Sequence, residues 1–118
     1  MNGAGCLPAP TVEEVALIDK LVKVSKAAWT FNPGPDQCFS LKSEGYWYGI
    51  YVSGGAVYKL KIKKASSDVT FILEINPTDE LRQYGNELME DLYKKQTDER
   101  SQLIKQVDLD LVKIINFV

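Results

Sequence analysis

The 118 residues are 45% apolar and 25% charged, with a net charge of −2, which suits one globular domain with a real core. There is no histidine, so Ser-His-Asp and Cys-His catalysis in their usual forms are excluded, and two cysteines, Cys6 and Cys38, are too few for a structural zinc site or a disulfide framework. No apolar run is long enough to span a membrane, and "MNGAGCLPAP" lacks the basic and apolar regions of a secretory signal; a cytoplasmic protein with two free thiols is expected.

Residues 1–10 read as a flexible tail ending in Pro8 and Pro10, and residues 11–118 as a single α+β domain. "TVEE" is a capping box in which Thr11 caps a helix and Glu14 reaches back. Val15, Ile18, Leu21, Val22, Ser25 and Trp29 recur at helical spacing, so the helix is expected to run to about Ala28. Asn32-Pro33-Gly34-Pro35 then reads as a loop.

Three or four strands follow as an antiparallel meander, with N-terminal and C-terminal helices packed on one face. "CFSLKS" is a short strand, turned by Ser43-Glu44-Gly45 into the aromatic strand Tyr46 to Val52. Gly54-Gly55 suits a two-residue turn with positive φ into "AVYKLKIKK", and Val69 to Ile75 forms the last strand. That turn predicts the pairs Val52–Val57, Tyr51–Tyr58, Gly49–Leu60 and Trp47–Ile62; a four-residue loop at 65–68 pairs Ile62 with Phe71, Leu60 with Leu73 and Tyr58 with Ile75. In this register, N- and C-terminal helices cover Trp47, Tyr51, Tyr58, Leu60, Ile62, Phe71, Leu73 and Ile75 on one face. The outer face carries Tyr46, Tyr48, Ile50, Val52, Val57, Thr70 and Ile72, interleaved with Lys59, Lys61, Lys63 and Glu74.

Asn76 and Pro77 read as cap and first residue of the next helix, with Asp79 and Glu80 suited to its dipole. Leu81, Tyr84, Leu88 and Leu92 form its buried stripe, and Gly85 within that stripe signals close packing on the sheet. Thr97-Asp98 is a place to kink or restart. The segment "VDLDLVKIINFV" fits a strand through Val107, Leu109 and Leu111 and a helix through Leu111, Ile114, Ile115 and Val118; the helix is expected.

The acidic pairs Glu13/Glu14, Asp79/Glu80 and Glu90/Asp91 occupy adjacent helical positions, which do not face each other, and the first two sit where the helix dipole explains them. Asp108 and Asp110 are too few to hold a divalent ion. No phosphate-binding loop is present. No catalytic residue, metal or cofactor is expected. Residues 37–76 carry five lysines against three acids, and residues 77–118 six Lys/Arg against nine acids, a segregation that fits a charged partner surface and equally fits attraction between the parts of one fold.

The sequence thus predicts a non-enzymatic interaction module of adaptor, inhibitor or immunity type. Its candidate binding residues are Tyr46, Tyr48, Ile50, Lys59, Lys61 and Lys63. The outer face is too apolar to leave bare, so a homodimer through it is expected, residues 107–118 being the competing cover. The alternative function is a ligand-binding domain in which those tyrosines and lysines take single-stranded nucleic acid or a small aromatic or anionic molecule.

Overall fold

The computed structural model describes residues 8–65 and 68–117; Cys6 and most of the expected N-terminal tail lie outside the described residues. Helix α1 (Val12–Leu21) precedes five antiparallel strands, β1 (Thr30–Asn32), β2 (Cys38–Ser43), β3 (Tyr46–Ser53), β4 (Ala56–Ala65) and β5 (Thr70–Ile75), followed by helix α2 (Asp79–Phe117). The strands lie in chain order across one sheet, which is the expected α+β meander with a fifth strand added. The chain divides into two compact units, Met1–Leu88 and Met89–Val118.

In the first unit, the capping box forms as expected: Thr11 Oγ1 accepts from Glu14 N at 3.1 Å and Glu14 Oε1 from Thr11 N at 2.9 Å. α1 ends at Leu21, seven residues before the expected Ala28, because the ladder tightens there. Lys23 N bonds Lys20 O and Val24 N bonds Leu21 O, and Ser25 Oγ then accepts from Ala27 N to cap a separate 3₁₀ turn at Lys26–Ala28. Trp29 therefore leaves on extended backbone and leads into β1, a strand not expected from the sequence, whose last residue, Asn32, falls in the expected loop.

Both tight hairpins use two residues at positive φ: Glu44 (45°) and Gly45 (85°), then Gly54 (62°) and Gly55 (80°). The second turn pairs Val52 with Val57, as expected. One residue later the register shifts, and Tyr51 pairs with Lys59, leaving Tyr58 as the extra residue of a β-bulge. Every pair before it moves by one: Ile50–Leu60, Gly49–Lys61, Tyr48–Ile62 and Trp47–Lys63. The period of two then turns Tyr46, Tyr48, Ile50 and Val52 to the face they were not expected to occupy, and Trp47 and Tyr51 to the other. The β4–β5 register differs by two residues, with Leu60 opposite Ile75 and Ile62 opposite Leu73, which leaves those faces unchanged.

The core of this unit is a row across the sheet. Phe39, Ile50, Leu60 and Ile75 are mutual register partners and all buried, and Ile18, Leu21, Leu81, Tyr84 and Leu88 of the helices are buried too. Gly85 sits where a Cβ would lie 2.2 Å from Val57 Cγ2 and 3.7 Å from Ile50 Cγ2, so its missing side chain sets how closely α2 approaches the sheet. Trp29 Nε1 donates to Tyr84 Oη at 2.8 Å, and that hydroxyl donates to Val24 O at 2.5 Å. One tyrosine thus ties the exit of α1 and the entry of β1 to α2. Burial pushes its own pKa up.

α2 starts at Asp79, two residues after the expected Pro77. Thr78 is the effective cap, its Oγ1 accepting from Leu81 N at 3.2 Å, while the Asn76 side chain donates to Pro8 O at 2.9 Å. In the second unit α2 passes through Thr97-Asp98 without interruption. The Thr97 hydroxyl bonds back to Tyr93 O at 2.9 Å, which accommodates threonine inside a helix. The helix expected for residues 107–118 is observed as far as Phe117.

Replacing Gly85 by Ala tests the close approach. Alanine gains about 1 kcal/mol of helix propensity, but the added methyl meets a β-branched side chain that cannot retreat, and such overpacking costs about 1–3 kcal/mol. Gly85→Ala is expected to destabilise in denaturant titrations. In a Val57→Ala background the same substitution is expected to become neutral or stabilising.

Candidate functional site

The bulge builds the outer face of the sheet. Tyr58 and Lys59 both turn toward Tyr51: the two tyrosine rings stand 6.2 Å apart at 66°, and the Lys59 ammonium lies 4.8 Å from the Tyr51 ring. Lys61 covers the same ring from 5.1 Å, and Lys63 covers Trp47 from 4.2 Å. Gly49 supplies the floor; a Cβ there would lie 2.4 Å from Trp47 Cη2, so the indole lies in the space a side chain would fill. Glu74 Oε2 on β5 completes the layer, 2.7 Å from Lys59 Nζ and 3.8 Å from Lys61 Nζ.

The electrostatics follow from these contacts. The hydrogen bond to Glu74 is the main cause that raises Lys59, and the same bond holds Glu74 below the usual carboxylate range. Tyr51 is pushed up chiefly by burial. Both members of the ion pair are partly exposed, so it contributes at most about 1 kcal/mol.

Of the expected site residues, Lys59, Lys61 and Lys63 lie on this face. Tyr46, Tyr48 and Ile50 do not; the bulge has turned them to the side that carries α2. Ile50 is fully buried near Gly85, and Tyr46 stands 6.4 Å from Tyr48 with Lys64 5.6 Å from its ring. The aromatic partners of the lysines are instead Trp47 and Tyr51, which the expected register puts in the core. Lys42 shares the cross-strand row of Trp47 and Lys63, and these three line a shallow open depression of about 570 Å³ beside the β2–β3 turn. Neither Lys42 nor Lys63 has a carboxylate partner among the described residues.

Among the described residues no three His, Cys, Asp or Glu side chains gather as metal ligands. Cys38 is a buried free thiol, with Asn32 Nδ2 3.7 Å from its sulfur and 2.7 Å from Ser40 Oγ. No helix among the described residues is long and apolar enough to cross a membrane.

Among the described residues, β5 and α2 carry most of the exposed apolar side chains. In the first unit, β5 exposes Phe71, Ile72 and Leu73 at 65%, 57% and 43%. In the second unit, α2 exposes Leu103, Ile104, Val107, Leu111, Ile114 and Ile115, each at 45% or more. At the helical turn angle these six fall within an arc of ~120°. Comparison with known protein families, with curated proteins and with solved structures finds no match to this chain.

A carboxyl pair lies between α1 and the start of α2. Asp19 has a shielded Oδ1 that meets no donor among the described residues, and Glu80 is raised above its ordinary range chiefly by its hydrogen bond to Asp19, with Lys23 acting against the shift. A raised folded-state pKa means that the folded chain holds the proton more tightly. The contribution is fully present below the carboxylate range and is lost as the pH rises through it. Glu80→Gln, whose amide can donate to Asp19 at any pH, is expected to lack this decline. Melting temperatures of the two proteins from acid to neutral pH should diverge in the variant's favour as the pH rises.

Proposed function

We propose that the protein is a non-enzymatic interaction module that binds a protein partner through the apolar stripe of α2. The observation that carries this reading is the exposure of Leu103, Ile104, Val107, Leu111, Ile114 and Ile115 along one side of a helix. A stripe of this width on a helix of a folded protein is normally buried, against a core or a partner. Asp108 and Asp110 and the acidic balance of residues 77–118 favour a partner whose rim is neutral or basic. An adaptor, inhibitor or immunity-type role fits a small chain in which no three His, Cys, Asp or Glu side chains gather among the described residues, and a buried free thiol fits a cytosolic setting.

A second reading, an anionic or aromatic ligand on the outer sheet face, is supported by Lys42 and Lys63 beside Trp47. It is the weaker one, because Lys63 already occupies the indole face that a stacking ligand needs.

An Ile104→Glu/Leu111→Glu variant separates the two. Both side chains are exposed, so thermal unfolding of the first unit should stay within about 0.5 kcal/mol of the parent. Cross-linked complexes recovered from the native host should disappear. Equal recovery with parent and variant would sink the helix reading. Polynucleotide binding that weakens steeply with salt and is lost in Lys42→Glu/Lys63→Glu would support the second.

A further inference from the structure

Sheets with open edges normally protect them with short strands, charges, proline or bulges. One edge here, β1, is three residues long. The other, β5, is a regular six-residue strand, TFILEI, without lysine or proline, and its pairing with β4 has no bulge. Its single charge, Glu74, already faces Lys59 and Lys61 of its own sheet.

Hairpin parity identifies which backbone groups of β5 are open. In a two-residue hairpin the residues flanking the turn form a hydrogen-bonded pair, so Ser43 and Tyr46 bond each other, and bonding toward β2 recurs at Tyr48, Ile50 and Val52. The bond from Val52 N to Gln37 O continues this series. Trp47, Gly49 and Tyr51 then bond toward β4, so Leu60, Ile62 and Lys64 bond toward β5 at Ile75, Leu73 and Phe71. The N–H and C=O groups of Thr70, Ile72 and Glu74 are left pointing away from the sheet.

We propose that β5 pairs antiparallel with β5 of a second copy of this chain, with Ile72 opposite Ile72 on a two-fold axis. This register brings all three open residues into hydrogen-bonded pairs, Ile72 with Ile72 and Thr70 with Glu74 in both directions. It sets no like charges opposite each other. On the α2 side it places Phe71 across from Leu73, and on the outer side it joins the two isoleucines, so the exposed apolar side chains of β5 meet others of their kind. A two-fold contact also closes on itself, leaving the short β1 strands as the outer edges of a ten-stranded sheet. The homodimer expected from the sequence is thereby moved from the sheet face to the sheet edge. The proposal is independent of the α2 stripe, and each surface has its own variants.

The contact is small, below about 1,200 Å² in total, so dissociation in the micromolar range is expected. Sedimentation of the full chain at concentrations up to about 100 µM tests it. The parent should form dimers. Ile72→Glu places a carboxylate beside Lys63 of its own sheet, which the fold tolerates, but opposes it to its twin on the axis; the dimer should weaken about tenfold or more. Ile104→Glu/Leu111→Glu should leave the β5 dimer intact. In a Cys6→Ser background, Ile72→Cys should form an intermolecular disulfide under mild oxidation. Thr70→Cys should not, since its twin lies about four residues, roughly 13 Å, out of register. A parent that stays monomeric, a dimer that survives Ile72→Glu or is lost only in the α2 variant, or cross-linking as fast at position 70 as at 72 would each overturn the proposal. Should Ile72→Glu not fold, the cysteine pair decides alone.

Discussion

The β-bulge at Tyr58 is the feature on which the rest of the sheet depends. One extra residue in β4 sits between a hairpin turn that is regular and strand pairing that is regular, and it converts one alternation into the other. Without it, Trp47 and Tyr51 would lie under α2, Ile50 would face away from it, and the lysines of β4 would share their face with Tyr46 and Tyr48. With it, the phase of β3 matches that of β4: Ile50 pairs with Leu60 beneath the helix, and every lysine of the Lys59-Lys61-Lys63 series finds an aromatic ring. The bulge also gives Tyr51 two neighbours from consecutive positions of one strand, which is how a ring on an open sheet face becomes buried.

Much of the fold was legible in the sequence. The capping box, both glycine turns, the meander and the helical reading of residues 107–117 follow from local chemistry that the structure repeats. Gly85 was legible as well, because a glycine in a helical stripe has few uses other than close approach. The faces of β3 were not. They depend on a residue count between Val52 and Lys59, and no side chain in "VSGGAVYK" distinguishes a bulge from continuous pairing. The aromatics offered no correction, since β3 carries Tyr or Trp on both faces. β1 was missed for a different reason. Three residues beside a Pro/Gly loop carry no alternation to read, and the strand exists because Thr30, Phe31 and Asn32 find partners in β2.

The candidate site was legible in composition but not in grouping. Lysines and aromatics on one strand pair were the right ingredients, yet in the first register the lysines had tyrosines as neighbours on an apolar face that asked for a cover. In the observed register the same lysines cover Trp47 and Tyr51 themselves. Their ammoniums stand 4.2–5.1 Å from the ring centres, and those of Lys59 and Lys61 also reach Glu74, so the face is partly covered by its own side chains.

That shift moves the question of what the protein binds away from the sheet face. Among the described residues, the exposed apolar side chains concentrate at β5 and along α2. The two differ in kind. β5 offers directional backbone groups together with side chains, and such an edge is specific for a strand of matching register. The α2 stripe offers apolar side chains on a helix whose backbone is already satisfied, and such a surface is specific only through shape and through the charges at its rim. A chain with both can use its edge for its own kind, where identical sequence guarantees the register, and keep the helix for a different partner. An outer face with fixed cations resists sheet-on-sheet stacking, which accords with the contacts proposed at the edge and the helix.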